Sequence, residues 1–446
     1  MSTDCVTSRP LAALPNAGLA FDVGRETTRR VGEISSAPVT LSLSIHDRLE
    51  SVEAEWRRFE QNADCTPFQT FDWLQRWQRH IGTRQGVQPA IVVGTLADGQ
   101  TIFILPFGID RGGGARRLCW LGQDLNDYNS PLILRDFSQH IPAQRFRALW
   151  KELRRRMQRE PLYRHDWIEL EKMPQFIGGQ VNPFFALTLA TNPSGAHFAE
   201  LGSDWKKFYA AKRSSATRRR DRSKRKRLAE FGEIGFAVDA NPDAAKATLE
   251  VLMEQKRRLF AQRGIPDMFE RAGWREFFLD LAGNASPLCT SPALRNGELQ
   301  LHVGHTQIGA LRGATHLGVV FRDAYYHVLA SYDDGAIAHY GPGALHLREL
   351  IANIIDLGLR RFDFTVGDEP YKLEWSDTHI KLGDYAAAAT WRGGPALGRS
   401  MIQRRIKRFI KQTPAAWRTV SRLRARIGPL LQRVKGGSCN SRSSPT

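Results

Sequence analysis

The sequence predicts an α/β protein of two similar domains side by side, each a mixed, largely antiparallel sheet flanked by helices. Three observations carry this expectation. The chain's 446 residues exceed what one core ordinarily organises, and at roughly 150 residues per domain they fill two or three units. One order of elements (strand, helices, a meander of strands, helix, strand) occurs twice. A composition of 42% hydrophobic and 10% aromatic residues supplies enough apolar surface for two cores.

Residues 1–38, rich in Ser, Thr, Pro and Gly and without a period, read as a flexible tail. Order is expected from "VTLSLSI". Leu49, Val52, Trp56 and Phe59 step by three and four and mark a helix; Phe71, Leu74 and Trp77 mark another. In "PAIVVGTLADGQTIFILPFGID" two β-rich runs flank Asp98-Gly99, a dipeptide suited to a hairpin, and "ARRLCWLG" adds a strand. A helix through Phe146, Leu149, Trp150 and Leu153 and a strand at "HDWIEL" complete the first half.

After "TNPSG" at 191–195 the order repeats. A basic helix to about Ala229 leads into "GEIGFAVD", where Ile234, Phe236 and Val238 alternate as in a half-buried strand. Helices near 242–262 and 270–282 precede the meander "GELQLHVGHTQIGALRGATHLGVVFRDAYYHVLASYD". A Gly341-Pro342-Gly343 turn, a helix over about 343–358, a strand at "RFDFTVG" and a last strand at "DYAAAATW" follow. The expected partition is a tail at 1–38, domains at 39–195 and 196–392, and a basic tail at 393–446.

The net charge of +18 is local: residues 206–227 carry +11 and residues 399–435 carry +12, which leaves the remainder at −5. The first segment reads as a long solvated helix or as a comb that steers an anionic substrate. Nucleic acid is disfavoured, because no interleaved aromatics, zinc ligands or reading helix accompany it. In the tail, Met401, Ile402, Ile406, Phe409 and Ile410, then Trp417, Val420, Leu423, Ile427, Leu430, Leu431 and Val434, form apolar faces among arginines. Such faces suit an anionic membrane surface, with docking on the protein's own domain as the equal alternative. Five scattered cysteines without a C-x-x-C pair fit a reducing compartment. With no apolar run near a span's length and no basic start, the expectation is cytoplasmic, peripheral to the inner face of the membrane if the tail binds there.

The turn before the 343–358 helix reads as a plain tight helix start or as an anion site that holds the chemistry. Gly341 and Gly343 allow close backbone approach and Pro342 stiffens it. Helix-start amides lack intrahelical partners and carry the positive dipole end, which suits a pyrophosphate. Along "RFDFTVG", Phe362, Phe364 and Val366 face one way, Asp363 and Thr365 the other, and Tyr371 and Lys372 follow on a short link. His302 and His305 fall on opposite strand faces with no completing ligand, so no metal is expected. "RGGGARR" at 111–117 lies between strands and reads as a hairpin rather than a phosphate cradle.

The series "SKRKRLAEFGEIGF", "YYHVLASYD", "GPGALHLRELI" and "GLRRFDFTVGDEPYKLEW", with "TPFQTFDWLQRW", "ILPFGIDR" and "RRLCWLGQDLNDYNSPL" in the first half, resembles the CelD-like acetyltransferases. These are a branch of the GNAT (acyl-CoA N-acyltransferase) superfamily related to the Fem-type peptidyltransferases. The resemblance covers about residues 45–390 and is most specific over 325–375. It implies two tandem GNAT-like domains, with acetyl-CoA or another acyl-CoA held where two strands splay. The matching positions are strand 325–332 with Tyr332, then Gly341, Pro342, Gly343, Ala344 and Leu345, although this turn is shorter than the superfamily's Gly-rich loop.

Acyl transfer to an amine then needs a base, an acid for the thiolate and a polarising group. Asp363, Tyr371 and Lys372 are the candidates, each with a structural alternative: a salt bridge for Asp363, a brace on the link for the other two. By the same resemblance Asp127 and Tyr128 line the cleft between the domains. The expected acceptor is a small molecule or saccharide bearing an amine or hydroxyl, in polysaccharide or envelope biosynthesis. An aminoacyl-tRNA-dependent peptidyltransferase and a non-catalytic membrane- or polymer-binding scaffold are the alternatives.

Overall fold

A computed structural model describes residues 41–283 and 298–412. The tail at 1–38 and the apolar face from Trp417 to Val434 lie outside the described residues. The described chain is α/β, with two mixed, mostly antiparallel sheets flanked by helices.

In the first sheet, Val87–Leu96 and Thr101–Asp110 pair antiparallel around Gly99, whose φ of +86° is the left-handed geometry such a turn uses. Both strands are covered on both faces, which accounts for their unbroken apolar runs. Leu41–His46 lies outside Val87–Leu96, and Arg117–Trp120 beyond Thr101–Asp110. Helix Ala143–Arg159 buries Phe146, Trp150, Leu153 and Met157 against this sheet at the three-and-four spacing that predicted it.

The second sheet runs Ile234–Val238, Gln300–Ile308, Leu311–Phe321, Ala324–Tyr332, Arg361–Val366, Ala196–Glu200, Thr378–Ile380. Helix Pro242–Gln262 starts on Asn241, whose side chain accepts the Ala244 amide at 2.9 Å, with proline in the first turn. The basic stretch is not one helix: Trp205–Lys212 and Ser215–Ala229 break at Ser214, which caps the second by accepting the Thr217 amide. Ser and Thr there offer the backbone a cap that competes with helix continuation.

One core joins the two halves. Trp56, Trp73 and Trp77 from the first pack with Leu252, Phe277 and Phe278 from the second, Trp73 meeting Phe277 edge-on at 5.1 Å. The sheets also exchange strands. Ala196–Glu200 pairs with Arg361–Val366 in the second sheet, and Leu382–Ala388 returns to pair with Trp167–Pro174 in the first. The stretch "DYAAAATW", expected in the second unit, thus overlaps a strand of the first sheet. The alternating small residues name no partner; the buried Asp384 does, accepting the Lys172 amide at 2.9 Å and the Asn192 side chain at 2.8 Å. Helix Gly393–Gln412 then docks on the first sheet through Arg404, 2.7 Å from the buried Glu169, while Ile402, Ile406 and Phe409 face outward.

Candidate functional site

Each sheet contains one parallel pair, and each pair forks. In the second half, Ala324–Tyr332 and Arg361–Val366 stay in register through Ala324↔Arg361, Tyr325↔Phe362 and Tyr326↔Asp363, and pairing then stops. Thr365 keeps the fork open. It adopts φ +59°, uncommon for a β-branched residue, at a bulge opposite His197 and Phe198, and its hydroxyl donates to the His327 carbonyl at 3.2 Å across the gap.

A cavity of about 410 Å³ opens beside the fork, lined among others by His327, Tyr332, Gly341, Gly343, Ala344 and Tyr371. The structure thus brings Tyr332 and most of the turn together with Tyr371. Gly341, at φ +72°, turns the chain into helix Pro342–Asp356, and Gly343 sits close under the Tyr332 ring, where a Cβ would stand 3.1 Å away and force the ring to shift. The Gly341 carbonyl takes both the Ala344 and Leu345 amides (3.1 and 3.2 Å), which leaves Gly343 as the helix-start amide with no intrahelical acceptor. Cations supplement it. The Lys224 ammonium lies 3.6 Å from where a Gly341 Cβ would stand, and Arg213 lines the cavity over the Trp375 ring.

Pro342 and Leu345, read from the sequence as cofactor contacts, are both buried. Leu345 packs with Leu228, Ile308 and Ile337 and is not on the cavity wall. Lys372 is also buried: its ammonium donates to the Val366 carbonyl at 2.8 Å and pairs with Glu369 at 3.2 Å, closing the link after the strand. Tyr371 is 37% exposed, and burial of its hydroxyl raises its pKa, so the phenol stays protonated across the neutral range.

Asp363 is 3% exposed and sits at the last paired position of the fork. One carboxylate oxygen accepts the Tyr128 hydroxyl of the first half at 2.8 Å and the Thr365 amide at 2.7 Å. Burial pushes its pKa up to about 7; these two donors pull against the rise, and nearby Asp127 adds to it. Asp127 is itself raised, by burial first, while Lys172, Lys372 and the Thr365 hydroxyl favour its charged form. Two interacting carboxyls, one from each half, thus flank Thr365.

A second cavity, of about 460 Å³, has walls from both halves. Asp127, Asp124 and Lys172 come from the first, and Met268, Trp274, Phe278, Val328 and Leu329 from the second. Strand Ala324–Tyr332 borders both spaces, with His327 on the first cavity and the next residue, Val328, on the second.

The first half's fork is closed. Arg117–Trp120 and Trp167–Pro174 pair in parallel at only two positions, and the gap beyond is filled by Arg117, 2.7 Å from both Asp110 and Glu169, and by Arg404. Some 50 Å³ remains there among the described residues, too little for a donor at this fork.

Sequence reasoning missed a row of histidines. His302 meets His316 at 2.7 Å, His316 meets His346 at 2.8 Å, and His346 meets Thr306 at 2.8 Å, with Asn353 beyond His302. Burial lowers His302 to about 4 and His346 to about 3, so the row is neutral at ordinary pH. The hairpin register carried the signal: His302 faces Gly318, and His316 faces Gly304, where a Cβ would stand 2.9 Å from the His316 ring.

Residues 215–373, which include the open fork and the Gly-Pro-Gly turn, match the family model described as an acetyltransferase (GNAT) domain. No curated protein matches the chain. Among solved structures it is similar to FemX, at 9% identity and a TM-score of 0.46, over 76% of this chain and 96% of that one. It is similar also to a tandem GNAT protein from the clavulanic acid biosynthesis pathway (10% identity, TM-score 0.39, 78% and 99% covered). A third is Saccharomyces cerevisiae N-myristoyltransferase with bound myristoyl-CoA (10%, 0.40, 80% and 86%). The half that holds the open fork is thus the half that matches an acetyltransferase (GNAT) domain, and the match supports a group-transferring enzyme.

Proposed function

We propose that the protein is an acyl-CoA-dependent acyltransferase, with acetyl-CoA as the first donor to try and an amine as acceptor. One observation carries this: the fork in the acetyltransferase-like half opens into a cavity walled by the glycine turn, whereas the other half's fork is plugged. The Gly343 amide, Lys224 and Arg213 are the groups for the donor's phosphates.

In the reaction, a neutral amine attacks the thioester carbonyl, the N–C bond forms and the C–S bond breaks. The thiolate takes a proton from Tyr371, whose hydroxyl is protonated at working pH, and the nitrogen gives its proton to a carboxylate. Asp127 is the carboxylate that lies both at the fork and on the second cavity, so the base assignment passes from Asp363 to Asp127. Asp363 positions it: it fixes Tyr128 and the Thr365 amide, and its charge acts on Asp127. Lys372 is a brace in this scheme.

The CelD-like resemblance supplies polysaccharide or envelope biosynthesis as the setting and a cytoplasmic location. The outward Ile402, Ile406 and Phe409, set among basic residues of the same helix, support contact with an anionic membrane surface. The aminoacyl-tRNA reading keeps one observation in its favour, the exposed Arg and Lys side chains of helix Ser215–Ala229 beside the donor cavity.

Thermal unfolding with CoA, acetyl-CoA, longer acyl-CoAs and RNA tests the reading. A donor at 100 times its dissociation constant adds about 2.7 kcal/mol of stability. A rise with acyl-CoA alone supports the proposal; a rise with RNA alone replaces it with the tRNA-dependent one.

A further inference from the structure

The second cavity specifies its occupant more narrowly than "amine". Its body is apolar and partly aromatic, built from Leu125, Phe260, Ile265, Met268, Phe278 and Leu329. Placing a saccharide's hydroxyls against such a wall leaves them without partners, at roughly 1–3 kcal/mol for each polar group desolvated without compensation. The rim carries both signs of charge. Asp127 and Asp124 supply carboxylates, Lys172 and Arg271 cations.

These cations have capacity to spare. Arg271 pairs with Asp124 at 3.7 Å in a geometry exposed on both sides, worth little in water and readily exchanged for another carboxylate. The Lys172 ammonium donates to the Asp124 and Asn126 carbonyls at 2.9 and 2.8 Å, two of its three N–H bonds.

Trp274 points to the same ligand independently. Its ring forms part of the wall, it is 6% exposed, and its buried Nε1–H has no acceptor among the described residues. A buried donor of this kind is ordinarily satisfied, and the ring that carries it borders this cavity. An apolar wall, a rim of both signs and a free N–H together describe a zwitterion with an apolar side chain.

We propose that the acceptor is an apolar or aromatic α-amino acid: the amine at Asp127, the carboxylate at Arg271 and Lys172 within reach of Trp274, and the side chain against the apolar wall. This rests on the acyltransferase reading for its chemistry, which is N-acylation of the α-amine. The amine nitrogen bonds to the thioester carbon as the C–S bond breaks; Asp127 takes the proton the nitrogen loses, and the thiolate takes one from Tyr371.

The test is calorimetric titration of the full chain with L-phenylalanine, phenethylamine and glucosamine, each with and without CoA. Phenylalanine is expected to bind, phenethylamine more weakly for want of the carboxylate, and glucosamine not at all. Trp274→Phe should weaken phenylalanine by about tenfold, one hydrogen bond's worth, and leave the CoA affinity unchanged. Met268→Lys, which sets a charge in the apolar wall, should do the same if Trp274→Phe fails to fold.

Glucosamine binding as tightly as phenylalanine would overturn the proposal. So would phenylalanine failing to bind while CoA binds, a result that leaves the donor reading intact. Phenylalanine binding without any CoA binding would uphold the cavity's ligand class and remove the transferase reading instead.

Discussion

Asp363→Asn offers the sharpest check on the buried carboxyl pair. The folded pKa of Asp363 is about 7, against an ordinary value of 3.8. Between those values the unfolded chain has released a proton that the folded chain still holds. The stability this contributes is therefore complete below about pH 4 and is lost as pH rises through about 7. At 1.36 kcal/mol per pH unit the loss has a ceiling of about 4 kcal/mol, more than half of it between pH 5 and pH 8.

Asparagine keeps an acceptor for Tyr128 and the Thr365 amide but cannot titrate. Urea unfolding at pH 5 and pH 8 should show the wild-type chain losing that increment relative to Asp363→Asn. Tyr128→Phe adds a second handle. Removing a donor to the charged form should raise the Asp363 pKa by a further unit, roughly, and move the loss to higher pH. Equal pH dependence in wild type and Asp363→Asn would refute the argument, because no buried titrating carboxyl would then be present.

Three further outcomes are expected. Asp127→Asn should lower kcat roughly 10²- to 10⁴-fold in a free-thiol assay while the acyl-CoA-induced rise in melting temperature persists. Gly343→Val should abolish that rise, since the Cβ already meets Tyr332 at 3.1 Å and the rest of the side chain must enter the donor cavity; an unchanged rise would move the donor elsewhere. Replacing Ile402, Ile406 and Phe409 together by Ser should abolish co-sedimentation with anionic vesicles without changing the melting temperature, because all three are exposed.

Local periodicity made the elements legible. The alternation of Ile234, Phe236 and Val238, the helical spacing of Phe146, Trp150 and Leu153, and the Gly341-Pro342-Gly343 start of a helix are short-range signals, and the structure follows them. Contacts between distant segments were not legible in the same way. Tyr128 and Asp363 are 235 residues apart, and no periodic pattern pairs them. Leu382–Ala388 carries alternation but no large apolar face, so its sheet is decided by where Asp384 finds donors. The candidate base moved from Asp363 to Asp127 for a related reason. Strand alternation identifies the polar face that carries Asp363 but not the loop acid of the other half, Asp127, that lies beside it.

The exchange of strands between the sheets has a consequence for how the protein is made. Translation proceeds from the amino end, yet Trp167–Pro174 waits for a neighbour about two hundred residues downstream. Until Leu382–Ala388 leaves the ribosome, the nascent first sheet has an unfilled margin able to recruit a wrong strand from the same or a neighbouring chain. Long-range pairing of this kind also slows folding. A chain interrupted before residue 382 keeps every strand of the second sheet, while the first still lacks Leu382–Ala388 beside Trp167–Pro174.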